Sequence, residues 1–89
     1  MLKLDISRDS LGFLQTLNPK QYRQIVSTVF RLLQNPEPQD SSRLIGYPYR
    51  RVDSGEYRII YDVAGDLLQV LLIGKRNDNE IYRKLRRRR

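Results

Sequence analysis

The sequence predicts an α+β fold in the order β-α-α-β-β-β-α, a helical hairpin packed on one face of a largely antiparallel four-stranded sheet. Three observations predict it. Apolar residues recur at helical spacing through the first half, the period falls to two from Tyr49 onward, and the later strands are separated by glycine-containing breaks short enough for hairpins. At 89 residues the chain has material for a single domain spanning residues 1–89 and too little for two.

Each element has a local reason. Leu2, Leu4 and Ile6 alternate with Lys3 and Asp5, the pattern of a short strand buried on one face. Ser7 is placed to cap a first helix in which Leu11, Leu14 and Leu17 share a face. Asn18-Pro19 starts a second helix, an N-cap followed by proline at the first helical position. Tyr22, Ile25, Val26, Val29, Leu32 and Leu33 form its apolar stripe, read as core, and Asn35-Pro36 ends it. Residues 35–42 are polar and proline-containing, and read as a linker. Strands follow at Tyr49 to Asp53, Glu56 to Val63 and Leu67 to Ile73, joined at Ser54-Gly55 and Ala64-Gly65-Asp66. The last of these is apolar on both faces and belongs inside the sheet, covered by helices. A terminal helix is expected from near Asp78, carrying a basic tail over residues 83–89.

Composition excludes several chemistries. With no cysteine and no histidine, there is no disulfide framework, thiolate or imidazole metal site, cysteine nucleophile or histidine base. No apolar run approaches the roughly 20 residues of a membrane span, and Met1 to Ile6 does not resemble a signal segment, so a soluble, cytoplasmic protein without a membrane partner is expected. The net charge is +7, but the tail alone carries six of the 17 basic groups, which leaves the body close to neutral.

Arginine placement carries the functional signal. Tyr57, Ile59, Tyr61 and Val63 point to one face of their strand, whereas Arg58, Ile60 and Asp62 point to the other. A guanidinium in such an apolar strand needs an ion pair or an anion. The preceding strand offers Arg50 and Arg51 on opposite faces, and the last strand ends in Gly74-Lys75-Arg76, with Tyr82 beyond. Hairpin pairing can bring Arg51, Arg58, Lys75 or Arg76 and Tyr82 onto one surface. Cations and a phenol suit a phosphodiester: guanidiniums bind phosphate in a bidentate manner and stabilise the charge of a pentacovalent transition state. RNA brings its own nucleophile, the 2′-hydroxyl, so neither metal nor cofactor is required. Tyr57 and Tyr61 read as packing residues, Arg50 as a surface residue.

The chain resembles the RelE family of bacterial and archaeal toxins from toxin–antitoxin pairs, within the wider RelE/ParE superfamily. The resemblance runs from Leu44 to Tyr82. It rests on Leu44-Ile45-Gly46, on Gly55-Glu56-Tyr57-Arg58-Ile59-Ile60-Tyr61, and on Gly74-Lys75-Arg76 followed by Glu80-Ile81-Tyr82. It implies a RelE-like fold and an endoribonuclease that enters the A site of the 70S ribosome and cuts the mRNA codon there. It also implies a cognate protein antitoxin that blocks the site and through which the complex can bind its own operator DNA. By motif match, Arg58 and Arg76 hold the scissile phosphate, Tyr82 activates the 2′-hydroxyl, and Arg51 positions the phosphate or acts as acid. Lys75 assists, and Arg50, Arg83 and Lys84 add RNA contacts. The chain departs from the pattern at Tyr49 and Asp53, where the family commonly has basic residues. The alternative is a ParE-like toxin that inhibits DNA gyrase without nuclease activity.

Overall fold

In the computed structural model, which describes residues 1–77 and 79–87, three helices pack on a mixed five-stranded sheet. The elements are β1 (Lys3–Ile6), α1 (Arg8–Leu14), α2 (Pro19–Gln34), β2 (Ser41–Arg43), β3 (Arg50–Ser54), β4 (Tyr57–Ala64), β5 (Leu67–Lys75) and α3 (Glu80–Arg87). The sheet order is β1-β5-β4-β3-β2, with β1 parallel to β5 and every other pair antiparallel. The expected element order and hairpins are present, and β5 lies inside the sheet as its two-sided apolar pattern requires.

A fifth strand is added to the four expected. Ser41–Arg43, within and just beyond the stretch read as a linker, pairs with Arg50–Val52 at the sheet edge. Three residues, two of them serine, show no apolar alternation, so backbone pairing rather than burial makes this strand. The helical stripe also needs correction. Ile25, Val29, Leu32 and Leu33 are buried, but Tyr22 is 45% exposed at the start of α2, ahead of the sheet's cover. The first helix ends at Leu14, short of Leu17, and the expected start of the terminal helix at Asp78 lies outside the described residues.

Caps and turns are built as their residues dictate. Ser7 Oγ accepts from the Ser10 amide at 3.1 Å, and Asn18 Oδ1 accepts from the Gln21 amide at 2.9 Å ahead of Pro19. Gly55 and Gly65 take the first position of two-residue hairpin loops with φ of 61° and 62°, a region closed to most other residues.

Two apolar clusters sandwich the sheet. On one face Leu14, Ile25, Val29 and Leu32 of the helical hairpin meet Val52, Tyr57, Ile59, Tyr61, Leu68 and Val70. Thr28 Oγ1 donates to Ser54 Oγ at 2.9 Å, so even the buried hydroxyls between α2 and β3 are satisfied. On the other face Ile81 and Leu85 of α3 cover Ile60, Leu71 and Leu72. Adjacent residues Leu71 and Leu72 reach the same face because the β4–β5 register slips between Ile60 and Tyr61, leaving Leu71 without a partner. Ser7 Oγ donates to the Leu71 carbonyl at 2.7 Å, tying the cap of α1 to this bulge.

A candidate phosphate-binding site

The face that carries α3 also carries Arg58. The two-residue loop between β3 and β4 sets Ser54 opposite Tyr57, and therefore Asp53 opposite Arg58 and Arg51 opposite Ile60. Arg51, Asp53 and Arg58 thus share one face, as alternation predicts. On the far side of β4, Arg58 pairs with Gly74. A Cβ on Gly74 would be in ordinary van der Waals contact with Ile81 Cβ at 3.4 Å, so α3 packs closely over this point of the sheet. With Ile81 and Leu85 buried, Tyr82 is brought to Arg58.

Arg58 is the centre of the arrangement, its side chain only 13% exposed. Its Nε donates to Asp53 Oδ1 at 2.8 Å and its Nη2 to Asp53 Oδ2 at 3.3 Å, while Nη1 donates to Tyr82 Oη at 2.5 Å. Arg76, whose amide donates to the Glu56 carbonyl at 3.0 Å, extends its Nη1 to 3.9 Å from Asp53 Oδ2. Arg51 Nε donates to Ser42 Oγ at 3.1 Å. Arg58 and Arg76 therefore flank the Asp53 carboxylate, with Arg51 on the same face and the Tyr82 phenol bonded to Arg58. Three guanidiniums against one carboxylate leave the cluster cationic. The Arg58 hydrogen bond holds the Asp53 carboxyl below the usual carboxylate range, against the opposing effect of partial burial. Reciprocally, Asp53 first and Tyr82 second raise the Arg58 guanidinium above its ordinary value. Both groups are charged at neutral pH.

A guanidinium has five N–H donors. Asp53 takes the edge formed by Nε and Nη2, and Tyr82 takes one N–H of Nη1. Among the described residues, one N–H on each terminal nitrogen has no acceptor, and such donors are of the kind that bind phosphate oxygens.

The remaining sequence candidates lie elsewhere. Lys75 stands opposite Tyr57 in the ladder and so projects to the helical-hairpin face. Arg50 stands opposite Tyr61 on that same face and its Nη2 donates to Ser41 Oγ at 2.8 Å. Arg83 pairs with Glu80 at 3.0 Å, and Lys84 with Asp9 at 3.3 Å, joining α3 to α1. Of the tail, Arg88 and Arg89 lie outside the described residues. Asp53 is the site residue whose role sequence reasoning missed. Its signal was available, because a two-residue loop after Ser54 fixes Asp53 across from Arg58.

The described residues contain no group of three or more carboxylates placed to hold a metal ion, and no helix among them is long and apolar enough to cross a membrane.

No curated protein sequence matches the chain at a significant level. Among solved structures, the chain is similar to RelE in the archaeal RelE–RelB complex from Pyrococcus horikoshii OT3, with 25% identity and a TM-score of 0.75 over 84% of this chain and 94% of that one. It is also similar in fold to the isolated E. coli RelE toxin, with 22% identity and a TM-score of 0.75 over 99% and 98% of the two chains. The toxin–antitoxin complex RelBE2 from Mycobacterium tuberculosis matches with 18% identity and a TM-score of 0.71 over 84% and 98%. A family model described as the ParE toxin of the type II toxin–antitoxin system parDE matches residues 7–80. Sequence and fold agree, and the chain belongs to the ParE toxin family of type II toxin–antitoxin systems, within the RelE/ParE superfamily.

Proposed function

We propose that this toxin is an endoribonuclease that enters the ribosomal A site in the cytoplasm and cuts the mRNA codon there, with no metal required. The observation that carries the reading is the Arg58 guanidinium bonded to the Tyr82 hydroxyl, with Arg76 beside the same Asp53 carboxylate and Arg51 on the same face of the sheet. In the reaction the RNA 2′-oxygen bonds to phosphorus and the bond from phosphorus to the 5′-oxygen breaks. The products are a 2′,3′-cyclic phosphate and a 5′-hydroxyl end.

Each side chain has a part. The remaining N–H donors of Arg58 hold phosphate oxygens and strengthen their hold as charge builds on them. Arg76, half-exposed at the strand end, closes on the phosphate from the side. The Tyr82 oxygen accepts the proton of the 2′-hydroxyl as its own phenolic proton passes to solvent. The leaving 5′-oxygen, beside the positive charge of Arg51, takes a proton from water to give the 5′-hydroxyl. Asp53 fixes the plane of the Arg58 guanidinium, so the group meets its target without first having to be ordered. The same carboxylate repels the phosphate, which makes the ribosome's orientation of the codon more important for this chain.

The antitoxin partner that goes with the family covers this surface, and the toxin–antitoxin complex binds operator DNA through the antitoxin. A second reading has one specific support: the matched family model is described as ParE. A toxin that inhibits DNA gyrase without nuclease chemistry has no use for the Arg58–Tyr82 pair.

The test uses ribosomes stalled with a defined codon in the A site. Wild type is expected to cut within the codon, and Arg58→Ala to lose about a hundredfold or more in rate, the usual cost of one transition-state donor. Intact mRNA together with inhibited DNA supercoiling overturns the nuclease in favour of the gyrase reading.

A further inference from the structure

A second groove lies beside the cationic cluster and shares two residues with it. Arg43, Leu44, Ile45, Tyr47, Arg51 and Tyr82 line it. Its loop is closed by a hydrogen bond from the Leu44 amide to the Tyr49 carbonyl at 2.9 Å and turns at Gly46, which has a φ of 84°. Tyr47 and Tyr49 stack with ring centroids 6.1 Å apart and planes inclined by 15°. Both pack against the Ile60, Leu72 and Ile81 cluster, so the pair is anchored. Tyr47 lines the groove and Tyr49 does not, so the stack presents Tyr47. At the rim Ile45 is 99% exposed, a large apolar side chain that none of the described residues covers.

We propose that this groove is a nucleobase subsite, in which the Tyr47 ring, backed by Tyr49 and flanked by Ile45, stacks the base of the nucleotide adjoining the phosphate held at Arg58. The proposal rests on the reading of the toxin as an RNA-binding nuclease. Three observations support this occupant. A supported aromatic ring offers a flat face of the kind on which single-stranded bases stack. Two guanidiniums, Arg43 and Arg51, line the groove and no carboxylate does, which fits the charge of an adjoining phosphate. Finally, Arg51 and Tyr82 belong to both the groove and the cationic cluster, so one nucleotide unit can span them. Tyr49 thus replaces a family cation with support for stacking, and the chain exchanges a phosphate contact for a base contact.

The test is a titration of the full chain at low salt with RNA trinucleotides that carry a 2′-deoxy sugar before each phosphate and so cannot be cut. One set carries 2-aminopurine, whose fluorescence falls on stacking, at each position in turn, and a matched set carries an abasic site there. Wild type is expected to quench 2-aminopurine at one position and to bind the base-bearing strand about tenfold more tightly than the abasic one, within the range for one base–aromatic stack. Tyr47→Leu, which keeps packing bulk and loses the flat ring, is expected to abolish both effects and leave abasic binding unchanged. Tyr47→Phe is expected to keep both. Equal affinity for the two sets overturns the subsite, as does equal weakening of both by Tyr47→Leu. Wild-type RNA binding retained by Tyr47→Leu, with weaker binding to the antitoxin, overturns it in favour of a protein partner. Cleavage of programmed ribosomes is measured alongside. Cleavage with base-independent binding removes the subsite alone, base-dependent binding without cleavage removes the nuclease alone, and loss of both removes the two readings together.

Discussion

Asp53 stands directly opposite Arg58 across the β3–β4 ladder, and its two carboxylate oxygens lie 2.8 and 3.3 Å from Nε and Nη2 of the guanidinium. The residue expected to grip phosphate is therefore already held by an anion on one edge. The carboxylate organises the arginine and lowers the local positive charge at the same time.

Replacing Asp53 with Asn separates those effects. The amide oxygen can still accept from Nε, so stability is expected to fall by only about 1 kcal/mol, the pair being partly solvent-screened. Affinity for single-stranded RNA is expected to rise, and the slope of log affinity against log salt to steepen by about one unit as Arg58 engages a phosphate more fully. Fluorescence anisotropy across a salt series reads both. An unchanged slope and affinity would show that Asp53 does not limit anion binding.

The pair also sets a pH dependence. Arg58 holds the Asp53 carboxyl below its ordinary value, so the folded state binds that proton less readily than the unfolded chain. The stabilisation is therefore complete above the unfolded carboxylate range near about pH 4 and is lost as the pH falls through the lower folded value. A carboxyl-carbon NMR titration is expected to show Asp53 titrating below ordinary aspartates. In Arg58→Ala it should return towards the usual range.

Among the described residues, the polar contact of Tyr82 at the site is the hydrogen bond it accepts from Arg58 Nη1. Tyr82→Phe keeps the ring that packs beside the α3 cluster, so stability is expected to change by about 1 kcal/mol or less. The cleavage rate is expected to fall by about a hundredfold, the lower end for loss of a proton-transfer group. Single-turnover kinetics on programmed ribosomes, with circular dichroism melting as the control, checks both.

Ser7 has two roles away from the site, capping α1 and satisfying the Leu71 carbonyl at the bulge. Ser7→Ala removes both and is expected to cost about 1–2 kcal/mol, which for a domain of this size lowers Tm by about 4–8 °C for each kcal/mol. Thermal melting gives the answer. A Tm within 1 °C of wild type would contradict the double role.

The parts of the fold legible in the sequence are those with a period or a turn signal. Gly55 and Gly65 announce their hairpins, and the alternation through Tyr57–Ala64 places Arg58 and Ile60 opposite Tyr57 and Ile59. Edge strand β2 was not legible, since Ser41–Arg43 is held by backbone bonds to β3 and carries no apolar pattern. Nor was the bulge, because Leu71 and Leu72 are equally apolar and only the register decides that both face α3. At the site, the gathering of Arg51, Arg58, Arg76 and Tyr82 followed from face assignment and motif spacing. The family motif chose Arg76 over Lys75, whereas face assignment alone left the two open. Their separation depends on the strand persisting to Lys75, which turns that side chain to the other face and leaves Arg76 free to reach Asp53. The counterion role of Asp53 was implicit in the hairpin register, yet the family resemblance gave it only as a departure from a basic position.

The most direct measurement is the chemistry of the new RNA ends after the toxin meets a ribosome programmed with a single A-site codon, read by mass spectrometry. Attack by the 2′-oxygen predicts a 2′,3′-cyclic phosphate on the upstream fragment, a 5′-hydroxyl on the downstream one, and no cut when the attacking sugar is 2′-deoxy. A 3′-hydroxyl with a 5′-phosphate, cleavage of the deoxy substrate, or uncut mRNA beside blocked supercoiling would contradict it.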